Sequence, residues 1–347
     1  MYRRLTMVVR GLFARRQHPD LGALAAETDP ERFVWAVLPH AARSFAASIV
    51  VLRPSEARVA AVAYLYARML DTYEDLLPDE EQRPAALRAF AARFERTPPE
   101  QPSPISDDLA TDDRDRLHLL LVQRAGLVDA VFAGLEESHR RAVADLIVAM
   151  AEGMAWSSER FAEQGGVLVD DDQLRRYCHA VIGFPAIFVI ELLTGRPPAS
   201  RADALAAGEL IQLANVTRDI EKDLARGIAY DAVLRPRLGV PSAPEVPAVR
   251  RRLVGLALSR ASAYRSLYES VDLSGRRGAR LAAVLMLSFT DLHFRRMTSS
   301  VGRRPWRGPP GKMTTMLRAL PAVVSGSYAS ALIARLERSF LDASVAG

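Results

Sequence analysis

The sequence predicts an all-α fold: one helical bundle built around a central cavity. Three observations carry the all-α prediction. Apolar residues recur at helical spacing along most of the chain, and no segment shows the two-residue alternation of a half-buried strand. Alanine and leucine are abundant while aromatic residues make up 7%, a composition that favours helix. The interruptions are chemically clear and short beside the segments they separate. With 347 residues, 49% of them apolar, the chain can bury a sizeable core.

In order, helices are predicted over 30–48, 55–77, 83–95, 113–134, 136–163, 171–194, 202–225, 246–271, 277–299 and 313–340. "RTPPEQPSP" at 96–104 separates the third from the fourth, because proline lacks the amide a helix needs. "EQGGVLVDDD" at 163–172, "GRPPAS" at 195–200 and "RPRLGVPSAPEVP" at 235–247 end the fifth, sixth and seventh. No composition shift marks a second domain, so residues 30–340 are expected to form a single domain behind a basic helical extension, 1–29. That extension, opening "MYRRLTMVVRGLFARRQ", has too short an apolar run for a signal-peptide core. It reads either as an ordinary surface helix or as a basic amphipathic helix touching a membrane or partner. "ALPAVVSGSYASALIARLERSF" near the C-terminus is broken by Pro321, Ser325, Gly326 and Arg335. It falls short of the ~20 apolar residues of a membrane span. The expectation is a cytoplasmic protein with at most peripheral membrane contact.

The chain carries 46 basic and 41 acidic residues, net charge +5, and its pI is about 9.6. That excess is modest, and no interleaving of aromatic and basic residues points to nucleic acid. It suits an anionic small substrate or an acidic membrane surface. The lone Cys178 excludes an intrachain disulfide and a Cys-rich metal site.

Two segments carry chemistry. In "YLYARMLDTYED", residues 64–75, Asp71, Glu74 and Asp75 stand at i, i+3 and i+4 and project from one side of a helix. Three acids in one turn repel, and near a helix C-terminus they also oppose the macrodipole. In "NVTRDIEKD", residues 215–223, Asn215, Asp219 and Asp223 stand at i, i+4 and i+8. Successive members rotate by only about 40°, giving a nearly straight row of oxygens. Gln212 extends the row, Arg218 and Lys222 run beside it, and Glu221 points elsewhere. Either segment alone also reads as a solvated charged face. Together, on two helices of one bundle, they suit Mg²⁺, which takes a few carboxylates plus substrate phosphates. Neighbouring cations would take the remaining phosphate charge.

These residues resemble the squalene/phytoene synthase family, over roughly residues 33–300. "ARSFAASIVVL", with Arg43, Ser44 and Phe45, resembles that family's S-R-S-F opening. Tyr64, Arg68, Asp71, Glu74 and Asp75 resemble its first acidic motif and "QLANVTRDIEKD" its second. "YCHAVIG", with Tyr177 and Gly183, matches a Y-C-x-x-V-x-G element. The resemblance implies a helical bundle of the isoprenoid (class I terpenoid) synthase type and a class I mechanism, in which two or three Mg²⁺ ions and cationic side chains ionise an allylic diphosphate. Asp71, Asp75, Asn215, Asp219 and Asp223 would bind metal, with Glu74 in support. Arg43, Arg68, Arg218, Lys222 and Arg226 would contact diphosphate. Tyr64 and Tyr177 would lie near the reacting carbons, although core packing accounts for either tyrosine as well.

The sequence departs from the squalene-synthase pattern where the acceptor would sit. "YCHAVIGFPA" places Ile182 and Phe184 where that pattern is small, which shortens the tunnel for a long prenyl tail. "SFTDLHFRRM" keeps Phe289 but introduces Asp291 and His293, two apart and so on different helix faces. They read as surface residues, or one of them as a base or anchor for a polar acceptor. "FVWAVLPHAARSF" lacks a lysine before the arginine, and the late loop reads "RRPWRGPPGKM", so NADPH use is not expected. Three functions follow. The first is transfer of a short allylic group, dimethylallyl to farnesyl, to a small hydrophobic or aromatic acceptor of carbazole or indole type. The second is head-to-head condensation of two prenyl diphosphates. The third is a non-catalytic helical scaffold.

Overall fold

The computed structural model describes residues 19–42, 44–79, 81–96, 99–300 and 311–345, the side chains of 297–300 and 343–345 excepted. The basic extension over 1–18, Arg43 and most of the late loop lie outside the described residues. The chain divides into two compact units, one ending at Glu159 and the other beginning at Arg160. Among the described residues the fold is helical, and the β-structure is a single bridge between Val167 and Ala229.

The first unit holds α1 (Leu21–Ala26), α2 (Pro30–Ala42), α3 (Ser44–Val50), α4 (Pro54–Leu76), α5 (Gln82–Ala92), α6 (Asp113–Gln123), α7 (Ala125–Ala133) and most of α8 (Glu137–Glu163). The central element is α4. Pro54 opens it with a φ already suited to helix, and the Glu56 carboxylate accepts from the Arg53 amide. Leu65, Tyr66, Met69, Leu70 and Tyr73 form its fully buried face. A polar network fixes the rotation of that face. Tyr66 donates to Asp129 Oδ1 at 2.7 Å, and Arg93 donates to Asp129 Oδ2 at 2.8 Å. The rings of Phe90, Phe94 and Phe132 surround Tyr66 edge-on. With that side pinned, Tyr64, Arg68, Asp71 and Asp75 are left on the other.

The second unit contains α9 (Asp171–Cys178) and α10 (Phe184–Thr194), made one continuous helix by a π turn over His179–Gly183. It continues through α11 (Arg201–Ala225), α12 (Val246–Leu258), α13 (Ala261–Ser270), α14 (Arg277–Ser300), α15 (Lys312–Ala319) and α16 (Gly326–Val345). Among the described helices, Asp171–Thr194 is the one long and apolar enough to cross a membrane, and here it packs against α11. The packing is backbone to backbone. A Cβ on Gly208 would lie 2.6 Å from Gly183 Cα, and one on Gly183 would lie 2.8 Å from Leu205 Cδ2. His179 Nε2 meets Glu209 Oε1 at 2.7 Å, while Arg260 donates to Glu209 Oε2 at 2.9 Å. This trio, centred on the buried Glu209, locks the π turn onto α11.

Three predicted helices are divided. The 113–134 helix breaks at Arg124, whose guanidinium turns away to the Glu27 carbonyl. The 246–271 helix breaks before α13, where Arg260 serves Glu209. The 313–340 helix is interrupted by a 3₁₀ turn over Leu320–Val323, where Pro321 removes a donor. Short turns over Asp107–Leu109 and Ala232–Arg237, and α1, were not predicted, being too brief for periodicity to register.

The close approach of α11 to the π turn is testable. Gly208→Ala should destabilise the fold by about 1–3 kcal/mol through overpacking, measured by urea unfolding. The control is Gly255→Ala in α12, where no atom lies within 4 Å of the added carbon. That change should be neutral or stabilising by up to about 1 kcal/mol.

Candidate active site

The first acidic row belongs to the first unit. Arg68 reaches Asp71 Oδ2 at 2.9 Å with one terminal nitrogen and donates to the Tyr64 hydroxyl at 3.1 Å with the other. The Phe45 ring packs on Tyr64, centroids 5.7 Å apart. Burial opposes the Arg68 charge, but Tyr64, Asp71 and Asp75 more than offset it, so the guanidinium stays firmly protonated. The acids fare differently. Burial, then the charge of Asp75, push the Asp71 carboxyl up to about 6 against the pull of Arg68 and Arg114. Burial and the charges of Asp71 and Asp75 push Glu74 well above the usual carboxylate range, opposed by Arg83 and by a hydrogen bond to Ser157. Asp75 is exposed at the row's end. The cations present do not cancel the repulsion, so the row has room for more positive charge.

The second row belongs to the second unit. Asn215, Asp219 and Asp223 share one face of α11, all partly exposed, while Ile220 and Leu224 are buried beside them. Glu221 turns aside to Arg250, as its place in the helical cycle dictates. Arg218 Nε donates to Asp219 Oδ1 at 2.8 Å, Lys222 is exposed and Arg226 is partly so. A hydrogen-bonded chain leaves the row at its upper end. Asn215 donates to Gln212 Oε1 at 3.0 Å, Gln212 approaches the Tyr177 hydroxyl at 3.4 Å, and Tyr230 donates to Tyr177 at 3.1 Å. The phenol of Tyr177 is thus tied to Asn215 through one side chain.

The two substituted positions on α14 part company. His293 is half-buried near Arg218 and Asp219 of α11 and near Arg296 and Lys312. Burial first, then those three cations, push its imidazole down to about 4, so it is neutral at physiological pH. Asp291 is buried on another face and pairs with Arg295, one turn along. Phe289 is buried in α14, Ile182 lies partly exposed in the π turn, and the Phe184 ring lies beneath the Arg201 guanidinium at 5.9 Å. Sequence reasoning missed Ser157, Arg83 and Arg114, which act on the first row, and Tyr230, which bonds Tyr177. The Asp291–Arg295 spacing of four did carry a signal for that pair.

Among the described residues no three His, Cys, Asp or Glu side chains form a ready metal cage. The donors still fit Mg²⁺, which binds through few carboxylates and completes its shell with water and phosphate oxygens. All the donors are hard oxygens, and the raised pKa values of Asp71 and Glu74 mark a place short of positive charge.

That shortage predicts a pH signature. Asp71 titrates near 6 in the folded protein and near 3.8 when unperturbed. The unfolded chain sheds this proton first, so the ionised group costs the metal-free fold stability as pH rises through that window. Asp71→Asn should raise the melting temperature of metal-free protein above about pH 6, with the gain shrinking towards about pH 4. Calorimetric scans across that range would show it; a variant less stable than the parent at the alkaline end would contradict it.

A profile of the squalene/phytoene synthase family matches residues 38–299. Squalene synthase of Ganoderma lucidum is 29% identical over 216 residues, covering 60% of this chain and 44% of that protein. Squalene synthase 1 of Arabidopsis thaliana is 27% identical over 199 residues, covering 55% and 44%. The chain thus spans under half the length of the curated relatives it matches. Among solved structures, TcSQS in complex with a ligand superposes with a TM-score of 0.67 at 18% identity, covering 92% of this chain and 99% of that one. A dehydrosqualene synthase in complex with a ligand gives 0.53 at 17%, covering 84% and 95%. At such identities the structural likeness establishes the fold, and it is the all-α fold of those synthases. With the profile matching most of its length, this chain belongs to the squalene/phytoene synthase family.

Proposed function

We propose that this protein is a Mg²⁺-dependent prenyltransferase that ionises an allylic prenyl diphosphate and joins the allylic carbon to an acceptor, releasing pyrophosphate. The observation that carries this reading is the first acidic row, where the partly buried, mutually repelling carboxyls of Asp71 and Glu74 keep raised pKa values despite Arg68, Arg83 and Arg114. A polycationic cluster with its own anionic ligand resolves that repulsion.

In this reading Asp71, Asp75, Asn215, Asp219 and Asp223 hold Mg²⁺, and both rows act on the same diphosphate. Glu74, bonded to Ser157, supports Asp71 and Asp75 from behind. Mg²⁺ bound there would draw electron density from the diphosphate and weaken the allylic C–O bond. Arg68, Arg218, Lys222 and Arg226, with Arg43, take the phosphate charge that remains. Tyr64, held by Arg68, and Tyr177, held by Gln212 and Tyr230, present fixed phenols to the leaving group.

For the acceptor we retain a small non-prenyl, aromatic molecule of carbazole or indole type with a short donor. The supporting observation is His293. As a neutral imidazole beside Arg218 and Asp219 it can accept the proton an aromatic carbon loses once the new C–C bond has formed. Its partner in the sequence, Asp291, is engaged with Arg295, so the acceptor-side role falls to His293. The reaction then needs no reductant, and NADPH has no part in it. We place the enzyme in the cytoplasm. A second reading, head-to-head condensation of two prenyl diphosphates, is favoured by the relatives named squalene synthase.

Incubation with dimethylallyl, geranyl and farnesyl diphosphates plus Mg²⁺, with and without carbazole or indole, separates the two by mass analysis. An acceptor-dependent adduct supports the first reading; a hydrocarbon or cyclopropyl product from farnesyl diphosphate alone replaces it with the second. Asp71→Asn and Asp219→Asn should each lower Mg²⁺-dependent pyrophosphate release by on the order of a hundredfold or more. Full activity in either would remove the metal assignment. His293→Asn should depress adduct formation while donor hydrolysis continues; equal loss of both would assign His293 to donor activation instead.

A further inference from the structure

The segment Lys312–Val324 inverts the usual distribution of side chains. Its buried positions are small: Thr315, Ala319 and Ala322 are 2%, 0% and 0% exposed. Its large aliphatic side chains face outward: Met313 is 48% exposed, Leu317 56%, Leu320 49% and Val324 78%. Steps of four, three and four put these on one stripe along α15 and the 3₁₀ turn. The fold holds the segment this way round. Arg280 donates to the carbonyls of Ala322 and Val323 at 2.6 and 2.7 Å, Tyr328 donates to the Arg318 carbonyl at 2.8 Å, and Thr315 donates to the Gly311 carbonyl at 2.9 Å. The stripe cannot roll inward without breaking these bonds, and aliphatic side chains exposed in a row cost solvation free energy.

Charge identifies what covers it. From Leu292 to Leu336 the sequence contains no Asp or Glu and eight Lys or Arg residues. The whole chain carries only +5, so everything outside this stretch is slightly acidic. Lys312 opens α15, and Arg335 is exposed on α16. Burial, then the charges of Arg335 and Arg295, push the Arg318 pKa down; Arg295 is paired with buried Asp291, so Arg318 and Arg335 are the guanidinium groups left to the stripe. A second copy docking through this face would bring the same cations against themselves. A surface that is anionic and accepts aliphatic side chains fits both properties.

We propose that the stripe Met313, Leu317, Leu320 and Val324, with its cationic surround, docks the protein on the surface of an anionic lipid bilayer. The four side chains enter the boundary between head groups and acyl chains, and Lys312, Arg318 and Arg335 meet the lipid phosphates. The contact is peripheral and reversible, because one short stripe is far smaller than a spanning helix. None of the four residues belongs to the acidic rows, so docking and catalysis are separable.

Co-sedimentation of the full chain with phosphatidylcholine vesicles, with and without phosphatidylglycerol, tests this directly. The parent should bind the anionic vesicles, bind phosphatidylcholine alone much less, and be released by salt. Leu317→Ser combined with Leu320→Ser should weaken binding by about tenfold or more, with an unchanged melting temperature and unchanged pyrophosphate release. Arg335→Gln should lessen the preference for phosphatidylglycerol. Equal vesicle binding by parent and double variant overturns the proposal, as does no binding by the parent. Concentration-dependent dimerisation in analytical ultracentrifugation that the double variant abolishes would assign the stripe to self-association and overturn it too.

Discussion

Like-charge repulsion within one helical turn is the constraint on which this structure turns. Burial first, and then the mutual repulsion of Asp71, Glu74 and Asp75, make two of them hold their protons above the usual range. Nothing in the helix itself rewards that arrangement, since acids at a helix C-terminus also oppose the macrodipole. The fold turns Asp75 outward but leaves Asp71 and Glu74 only partly exposed. It surrounds them with Arg68, Arg83, Arg114 and Ser157, enough to keep the helix intact and too little to neutralise it. The residual charge is what a divalent cation and its anionic ligand would complete.

Holding such a row requires rigidity on the opposite side of each helix. On α4 the requirement is met by Tyr66, Asp129 and Arg93 inside a shell of phenylalanine rings. A buried charge pair is a weak source of stability but a strong source of orientation, because removing either partner strands the other. On α11 the same purpose is served without charge at the contact, by two glycines that let the π turn touch the helix backbone. The trio of His179, Glu209 and Arg260 then keeps that contact in register. The π turn also lets Tyr177 point at Gln212 while Cys178 stays buried in the core.

What was legible in the sequence was what depends on near neighbours. The helices predicted over 55–77, 136–163, 202–225 and 277–299 agree with α4, α8, α11 and α14 to within a residue or two, because their apolar faces repeat over many turns. The sharing of a face by Asn215, Asp219 and Asp223, and the turning aside of Glu221, follow from the same period. The breaks at Arg124 and Arg260 were not legible, since each residue leaves its helix for a partner far away in sequence. Nor was the shell around the rows. Ser157 and Tyr230 lie in segments with no motif, and only packing brings them to Glu74 and Tyr177. The environment of Phe184, beneath Arg201, likewise emerges only in three dimensions.

The most direct test of the central claim is the coupling of the two rows through inorganic pyrophosphate. Titration calorimetry in Mg²⁺ would compare the parent with Asp71→Asn, Asp219→Asn and the variant carrying both changes. If the rows act on one metal-bound diphosphate, the losses are strongly non-additive, and the double variant binds no worse than the weaker single one. Losses that simply add, or pyrophosphate binding indifferent to either change, would contradict the account.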